Sequence, residues 1–301
     1  MTRVSTAQIT QSALLDIQRA QQSLFKATGQ TGNQNKATDL KGYGPEAHTL
    51  VSSSRVAARI EGRLEQATEL QTRLSIQEST LSRASEIVAD LRDTVLQGVG
   101  LRDGTAVDEK IEEAFYALKD IFNTNLAGKY VFGGTANDSP PVTVANTADL
   151  VTNGAANAFG TNGNTQLVNP DGVQEIQIAP VAHTDALEFF QVLEDLASGG
   201  PYGADIDDTE RAYLQGLLPD LDSAYNKSIE LESTNGRTQA RINTIVERQE
   251  TQLNALNEST GRITDVDLAE VAFELSQAQI SYQASASIFA QIRNLSLVNV
   301  L

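Results

Sequence analysis

His48 and His183 are the only imidazoles in this 301-residue chain, and cysteine is absent. A zinc site needs several nitrogen, sulfur or carboxylate ligands brought together, and neither histidine has a second one at ligand spacing. Without cysteine there is neither a disulfide nor thiolate chemistry. Gly98, Gly100 and Gly104 are not followed by the Lys-Ser/Thr pair of a phosphate-cradling loop. Asp205, Asp207 and Asp208 form an acidic turn without the glycine and closing glutamate of a calcium loop. They stand just before an apolar-periodic run, where a carboxylate accepts the free N–H groups of a helix start. Phe115, Phe122, Phe189, Phe190 and Tyr213 fall on helical stripes and read as core. No catalytic, cofactor or metal site is expected, and the chain does not read as an enzyme.

The formal net charge is −17, which argues against nucleic acid and against a polybasic membrane contact. No run approaches the roughly 20 apolar residues of a membrane-spanning helix. The N-terminal MTRVSTAQITQSALLDIQ lacks the continuous apolar core of a signal peptide. Aromatic residues make up 5% of the chain, and tryptophan is absent. Long helices packed through Ala, Leu, Ile and Val suit such a composition better than a large globular core.

The elements follow from periodicity. A first helix is expected over 4–28, then a Gly-rich connection through Gly44-Pro45. A second helical segment runs from about 46 to 97, with Val56, Ile60, Leu70, Leu74, Leu81, Val88, Leu91 and Val95 on its apolar stripe. Gly98, Gly100 and Gly104 are expected to end it. A third helix spans 106–126, and Lys129–Phe132 has β character between Gly128 and Gly133-Gly134. Residues 135–181 are rich in Asn, Gly, Thr and Ala, with short alternating pieces such as VQEIQIAP, and read as a β-rich insert. Helix resumes near Thr184, and again over 208–256, with a break at Gly261.

The last helix organises the rest. With Leu268 as the first heptad position, Leu275, Tyr282 and Phe289 follow at sevens, and Val271, Ala278, Ser285 and Ile292 hold the second apolar position. Thr264 or Asp265 is placed to cap it. At ~1.5 Å per residue it reaches about 50 Å and needs a partner. The first helix offers one, with Ala7, Leu14 and Gln21 in one heptad row and Thr10, Ile17 and Leu24 in the other. The expected fold is mainly α: an elongated helical coiled-coil rod with N- and C-terminal helices paired and a small β-rich domain inserted at the tip. The expected seam, which is also the expected assembly interface, sets Leu268, Val271, Leu275, Tyr282, Phe289, Ile292 and Leu295 against Leu14, Leu15, Ile17 and Leu24.

Four stretches carry a resemblance. They are the opening RVSTAQITQSALLDIQRAQQSL, the run from Gly128 through Pro141 (GKYVFGGTANDSPP), the C-terminal Asp267, Ala269, Gln277, Gln279 and Ser285, and the closing LSLVNVL. Together they resemble the bacterial flagellin family, most closely its hook–filament junction members of the hook-associated protein 3 type, to which the Gly128–Pro141 element is similar. The connection after the first helix departs from the family's usual turn, with Gly29 and Asp39 alone fitting it loosely.

The resemblance implies a structural, self-assembling component of the bacterial flagellum. It would be secreted to the cell exterior through the flagellar type III channel without a cleaved signal peptide. Its terminal helices would pair and polymerise, in the junction type as a ring joining hook to filament. Implied partners are further copies of itself, the hook-side junction protein, flagellin, and a cytoplasmic export chaperone at the C-terminal helix. The expected domains are 1–41 with 263–301 for assembly, 42–134 with 182–262 as the rod, and 135–181 as the variable insert. Two other readings stay open: a flagellin filament subunit, and a secreted surface adhesin that displays the insert.

Overall fold

The computed structural model describes the backbone of residues 6–298 and the side chains of residue 8 and residues 11–291. In chain order the elements are α1 (Thr6–Asn33), a 3-10 helix (Leu40–Glu46), α2 (Ala47–Leu101), α3 (Thr105–Phe122), β1 (Asn125–Leu126), β2 (Lys129–Tyr130), α4 (Thr147–Asn153), a 3-10 turn (Ala155–Asn157), β3 (Gln166–Val168), β4 (Ile176–Ile178), α5 (Ala182–Asp185), α6 (Leu187–Gly199), α7 (Asp208–Thr264) and α8 (Leu268–Val298). The fold is mainly α, as the periodicity implies. The chain divides into two compact units: a terminal unit of residues 1–59 and 252–301, and a central unit of residues 60–251.

The central unit is built on an antiparallel pair. In α2 the buried Ile60, Ala67, Leu74, Leu81, Val88 and Val95 recur every seven residues. In α7 the matching row is Leu214, Leu221, Ser228, Asn235, Ile242 and Gln249, all buried. Asn235 donates from Nδ2 to the Leu74 carbonyl at 2.9 Å, and Gln239 Nε2 reaches the same oxygen at 3.0 Å. Ser85 with Glu232 (2.7 Å) and Arg92 with Asp222 (2.5 Å) mark the pair further along.

Around that pair, α3 and α6 enclose the main core. Phe122 packs on Phe132 and Phe189 at 5.4 and 5.7 Å between ring centroids, and Phe190 meets Phe115 and Phe159 edge-on at 6.0 and 5.4 Å. Val142, Leu150, Ala155 and Phe159 join the same cluster, so residues from the expected insert help to fill it. The insert's β content is the antiparallel pair β3–β4, with Leu167 opposite Gln177. Ile176 and Ile178 of β4 pack with Ala67, Leu74, Ile242 and Ile245 of the two long helices.

Several expected boundaries move, each for a local reason. α2 runs through Gly98 and Gly100 to Leu101. At Gly98 a Cβ would meet the Val107 side chain at 2.7 Å, so this glycine serves close packing rather than termination. The helix stops where Arg102 turns left-handed (φ 60) and Asp103 donates to the Gly98 carbonyl. α3 ends at Phe122, four residues before the expected end, because Asn123 exchanges two hydrogen bonds with the backbone of Val142. The β character of Lys129–Phe132 survives only at Lys129–Tyr130, where Ala127 (φ 51) and Gly128 (φ 85) make a two-residue turn of the hairpin type. Val131 and Phe132 leave the strand and are buried. α7 continues past Gly261 to Thr264 and contains Pro219.

Candidate assembly interface

In the terminal unit α1 packs along α8. The end of α1 meets the start of α8 through a backbone clasp: Asn35 and Asp265 form an antiparallel bridge, Lys36 N–H donates to the Thr264 carbonyl (2.7 Å), and Val266 N–H to the Gln34 carbonyl (3.1 Å). The two helices are therefore antiparallel. α8 starts on Asp267, whose Oδ1 accepts the Ala269 N–H at 2.8 Å, and not on Thr264 or Asp265. Thr264 is the last residue of α7, and its carbonyl is taken by the clasp.

The seam is made largely of small residues. On α1 the buried positions are Ala13, Ala20 and Ala27, seven apart, with Ile17 and Leu24 half-buried between them. On α8 Val271 and Ala278 are buried, and Leu275, Tyr282, Ser285 and Phe289 are half-buried. Both heptad positions assigned to α8 thus face the seam over these residues, except Leu268, which is exposed. Only one of the two rows assigned to α1 does so. Leu14 and Leu15 stand off the seam and are nearly half exposed. The true second row is one residue earlier, because helices that approach closely along a straight seam admit Ala where Leu would hold them apart. Ile292 and Leu295 lie outside the residues whose side chains are described.

A second stripe lies on the outer face of α8: Phe273 (70% exposed), Ile280 (64%) and Ile288 (54%). Its residues stand seven and eight apart, two positions after Val271 and Ala278 of the seam and three after Ser285. Between Glu274 and Arg293 α8 carries no charged residue. On α1 the outward apolar residues are Leu14, Leu15 and Phe25. A solvated helix surface normally alternates charges of both signs. Ile280 and Ile288, exposed within the charge-free run, have the composition of a contact surface, whose centre is depleted in charge.

The residues weighed for chemistry lie elsewhere. His48 is exposed on the first turn of α2, and His183 sits edge-on to Phe159 at 5.8 Å. Asp207 caps α7: its Oδ1 accepts the N–H groups of Thr209 (2.7 Å) and Glu210 (2.8 Å), and Glu210 Oε2 accepts the Asp207 N–H in return. Phe115, Phe122, Phe189 and Phe190 are core, and Tyr213 is partly exposed with its hydroxyl donating to the Asp195 carbonyl. Among the described residues no group of three or more His, Asp or Glu is placed to hold a metal ion. None of the described helices is long and apolar enough to cross a membrane.

Residues 218–301, which hold most of α7 and all of α8, match the family model of the bacterial flagellin C-terminal helical region. Through this segment the chain is similar to the flagellin family. Its fold is shared with solved flagellar proteins. A structure described as a flagellar hook-associated protein from Vibrio parahaemolyticus aligns with TM-score 0.58 at 15% identity, over 73% of this chain and 97% of that one. FlgL from Bacillus cereus gives 0.55 at 14%, over 70% and 98%. Flagellar hook-associated protein 3 from Legionella pneumophila gives 0.57 at 11%, over 70% and 98%. At these identities the likeness is one of fold. No curated protein matches the chain in sequence. Of the α1–α8 pair, α8 lies within the matched residues.

Proposed function

We propose that this chain is a structural subunit of the bacterial flagellum that polymerises through α1 and α8, with its place at the junction between hook and filament. The observation that carries the reading is the charge-free stretch of α8 over residues 275–292, with Ile280 and Ile288 exposed in it and Phe273 exposed just before it, on a helix that matches the flagellin C-terminal model. Burying such side chains between subunits supplies roughly 1.5–3 kcal/mol each, which is the driving force assembly needs. The junction assignment is supported by the Gly128–Pro141 element and by the fold shared with hook-associated proteins.

In this reading residues 1–41 and 263–301 form the assembly domain, 42–134 with 182–262 the rod, and 135–181 the variable part. Leu14, Leu15 and Leu268 face neighbouring subunits, whereas Ile17, Leu24, Val271, Leu275, Tyr282 and Phe289 hold the subunit's own pair together. The axial neighbours are the hook-side junction protein and flagellin. The subunit is exported without a cleaved signal peptide, and before export a cytoplasmic chaperone covers the outer face of α8. Its role is mechanical and not catalytic.

Immunogold electron microscopy of intact cells with antibody to residues 135–181 tests the assignment. One spot where hook meets filament is expected. Label along the filament would make the chain a flagellin, and flagella without label would overturn the axial reading. For the chaperone, residues 262–301 used as bait should retain a cytoplasmic partner, and bait that retains none counts against it.

A further inference from the structure

In the central unit, a cleft of about 620 Å³ opens between α2, the β1–β2 hairpin and β3. Its size falls in the range of small-ligand sites. Leu70, Val168 and the ring of Tyr130 give it an apolar floor. Its rim includes the side-chain amides of Gln66, Asn137 and Asn169, none of which hydrogen-bonds another side chain or the backbone among the described residues. Gln166 uses only its Oε1, accepting from Arg73 Nη1 at 2.6 Å, and leaves its Nε2 free.

Arg73 is the informative residue. Its Nη2 donates to the Val131 carbonyl at 2.7 Å, and no acceptor reaches its buried Nε–H. That Nε is closed off inside the cleft wall, but Nη1 and Nη2 each carry a second N–H beyond the bonds to Gln166 and Val131, and a ligand oxygen can accept from these. The charged groups lining the cleft are Glu69, Arg73 and Lys129, and Lys129 is paired with Asp138. Their balance suits an uncharged ligand. Side-chain amides both donate and accept, as sugar hydroxyls do, and a tyrosine ring takes the apolar face of a sugar.

We propose that this cleft binds an acetamido-bearing oligosaccharide, with an N-acetyl carbonyl accepting from Arg73, its methyl on Leu70 and Val168, and its hydroxyls on the amide rim. A peptide strand fits less well. β3 presents only three residues of edge, and the Val131 carbonyl beside it is already taken by Arg73 and Gln77. The inference stands apart from the assembly reading, since none of these residues belongs to α1 or α8.

The test is isothermal titration calorimetry with saturation-transfer NMR on the full chain. The probe is the β-1,4-linked trisaccharide of N-acetylglucosamine, and the comparators are the matching glucose trisaccharide and the capped peptide acetyl-Ala-Asn-Ala-amide. The acetamido sugar should bind, with saturation strongest at its N-acetyl methyls, and the glucose trisaccharide at least about tenfold more weakly. Arg73→Lys keeps a cation but removes the planar fork of N–H donors, and should abolish binding. Tyr130→Ala and Asn137→Ala change partly exposed side chains, and each should weaken it about tenfold with an unchanged circular dichroism spectrum, so the question is settled even if Arg73→Lys fails to fold. Failure of the acetamido sugar to bind at millimolar concentration, equal binding of the two sugars, preference for the peptide, or indifference to both rim substitutions would each overturn the proposal.

Discussion

Six phenylalanines meet in the core of the central unit, whereas α1 and α8 of the terminal unit meet through Ala13, Ala20, Ala27 and Ala278. An alanine buries a fraction of the apolar area of a phenylalanine, so each seam position contributes correspondingly less at about 25 cal/mol per Å². The terminal unit also keeps Phe25, Phe273, Ile280 and Ile288 in water, and the central unit has no comparable run along one helix among its described residues. The difference separates two tasks. One region buries its large apolar side chains when the chain folds, and the other leaves several of them exposed, as the proposed assembly would require.

Substitutions can break that contrast. Phe122→Ala should have the largest effect, lowering the stability of the central unit by about 3–5 kcal/mol in chemical denaturation, since Phe122 touches Phe132, Phe189 and Phe190. A loss under about 1 kcal/mol would mean that the aromatic cluster is not what holds this unit.

Next comes the loop before β4. Asp171 is buried: its Oδ1 accepts the N–H groups of Val173 and Gln174, each at 2.9 Å, and its Oδ2 the Arg248 guanidinium at 2.7 Å, while Arg63 donates to its carbonyl. Burial alone would raise the carboxyl's pKa, but the two N–H groups and Arg248 outweigh it and hold the pKa below the usual range. A depressed folded pKa stabilises above the unfolded value, near 3.9, and the contribution is lost as pH falls through the folded value. Asp171→Asn should therefore cost roughly 1–3 kcal/mol at pH 7. Parallel melts of the two proteins should converge as pH drops below about 4, and a gap that persists there would assign the loss to packing instead.

Ala20→Leu should come third, at about 1–3 kcal/mol from overpacking the seam, read as loss of helical ellipticity that leaves the central unit's transition in place. Phe273→Ser should do least to the monomer, within about 0.5 kcal/mol, yet abolish concentration-dependent assembly measured by light scattering. A variant that still polymerises would remove the outer face of α8 from the assembly surface.

How much of this was legible in the sequence varies with how local the cause is. The α8 seam was readable at Val271, Leu275, Ala278, Tyr282 and Phe289, because heptad spacing and size agree there. On α1 they disagree: Leu14 and Leu15 draw a reading by size, and the seam uses the alanines beside them. Gly98 looked like a terminator because its role depends on Val107, a contact between two different helices. The core contribution of Val142, Leu150 and Phe159 was hidden in a polar, glycine-rich stretch whose packing partners lie on α3 and α6. Arg73 gave no local signal at all. Four residues after Glu69, it has the spacing of an ordinary surface ion pair, and only the arrival of Val131 and Gln166 makes it a cleft wall.

The amide bonds from Asn235 and Gln239 to the Leu74 carbonyl bear on how the α2–α7 pair carries load. Pulled along its axis, α7 cannot creep past α2. The next equivalent alignment lies one heptad away, about 10 Å, and any smaller slip takes the Asn235 amide off the Leu74 carbonyl and the two buried rows out of register. Shear would thus meet a notch rather than friction, and the pair would hold its length under tension until the whole notch gives way.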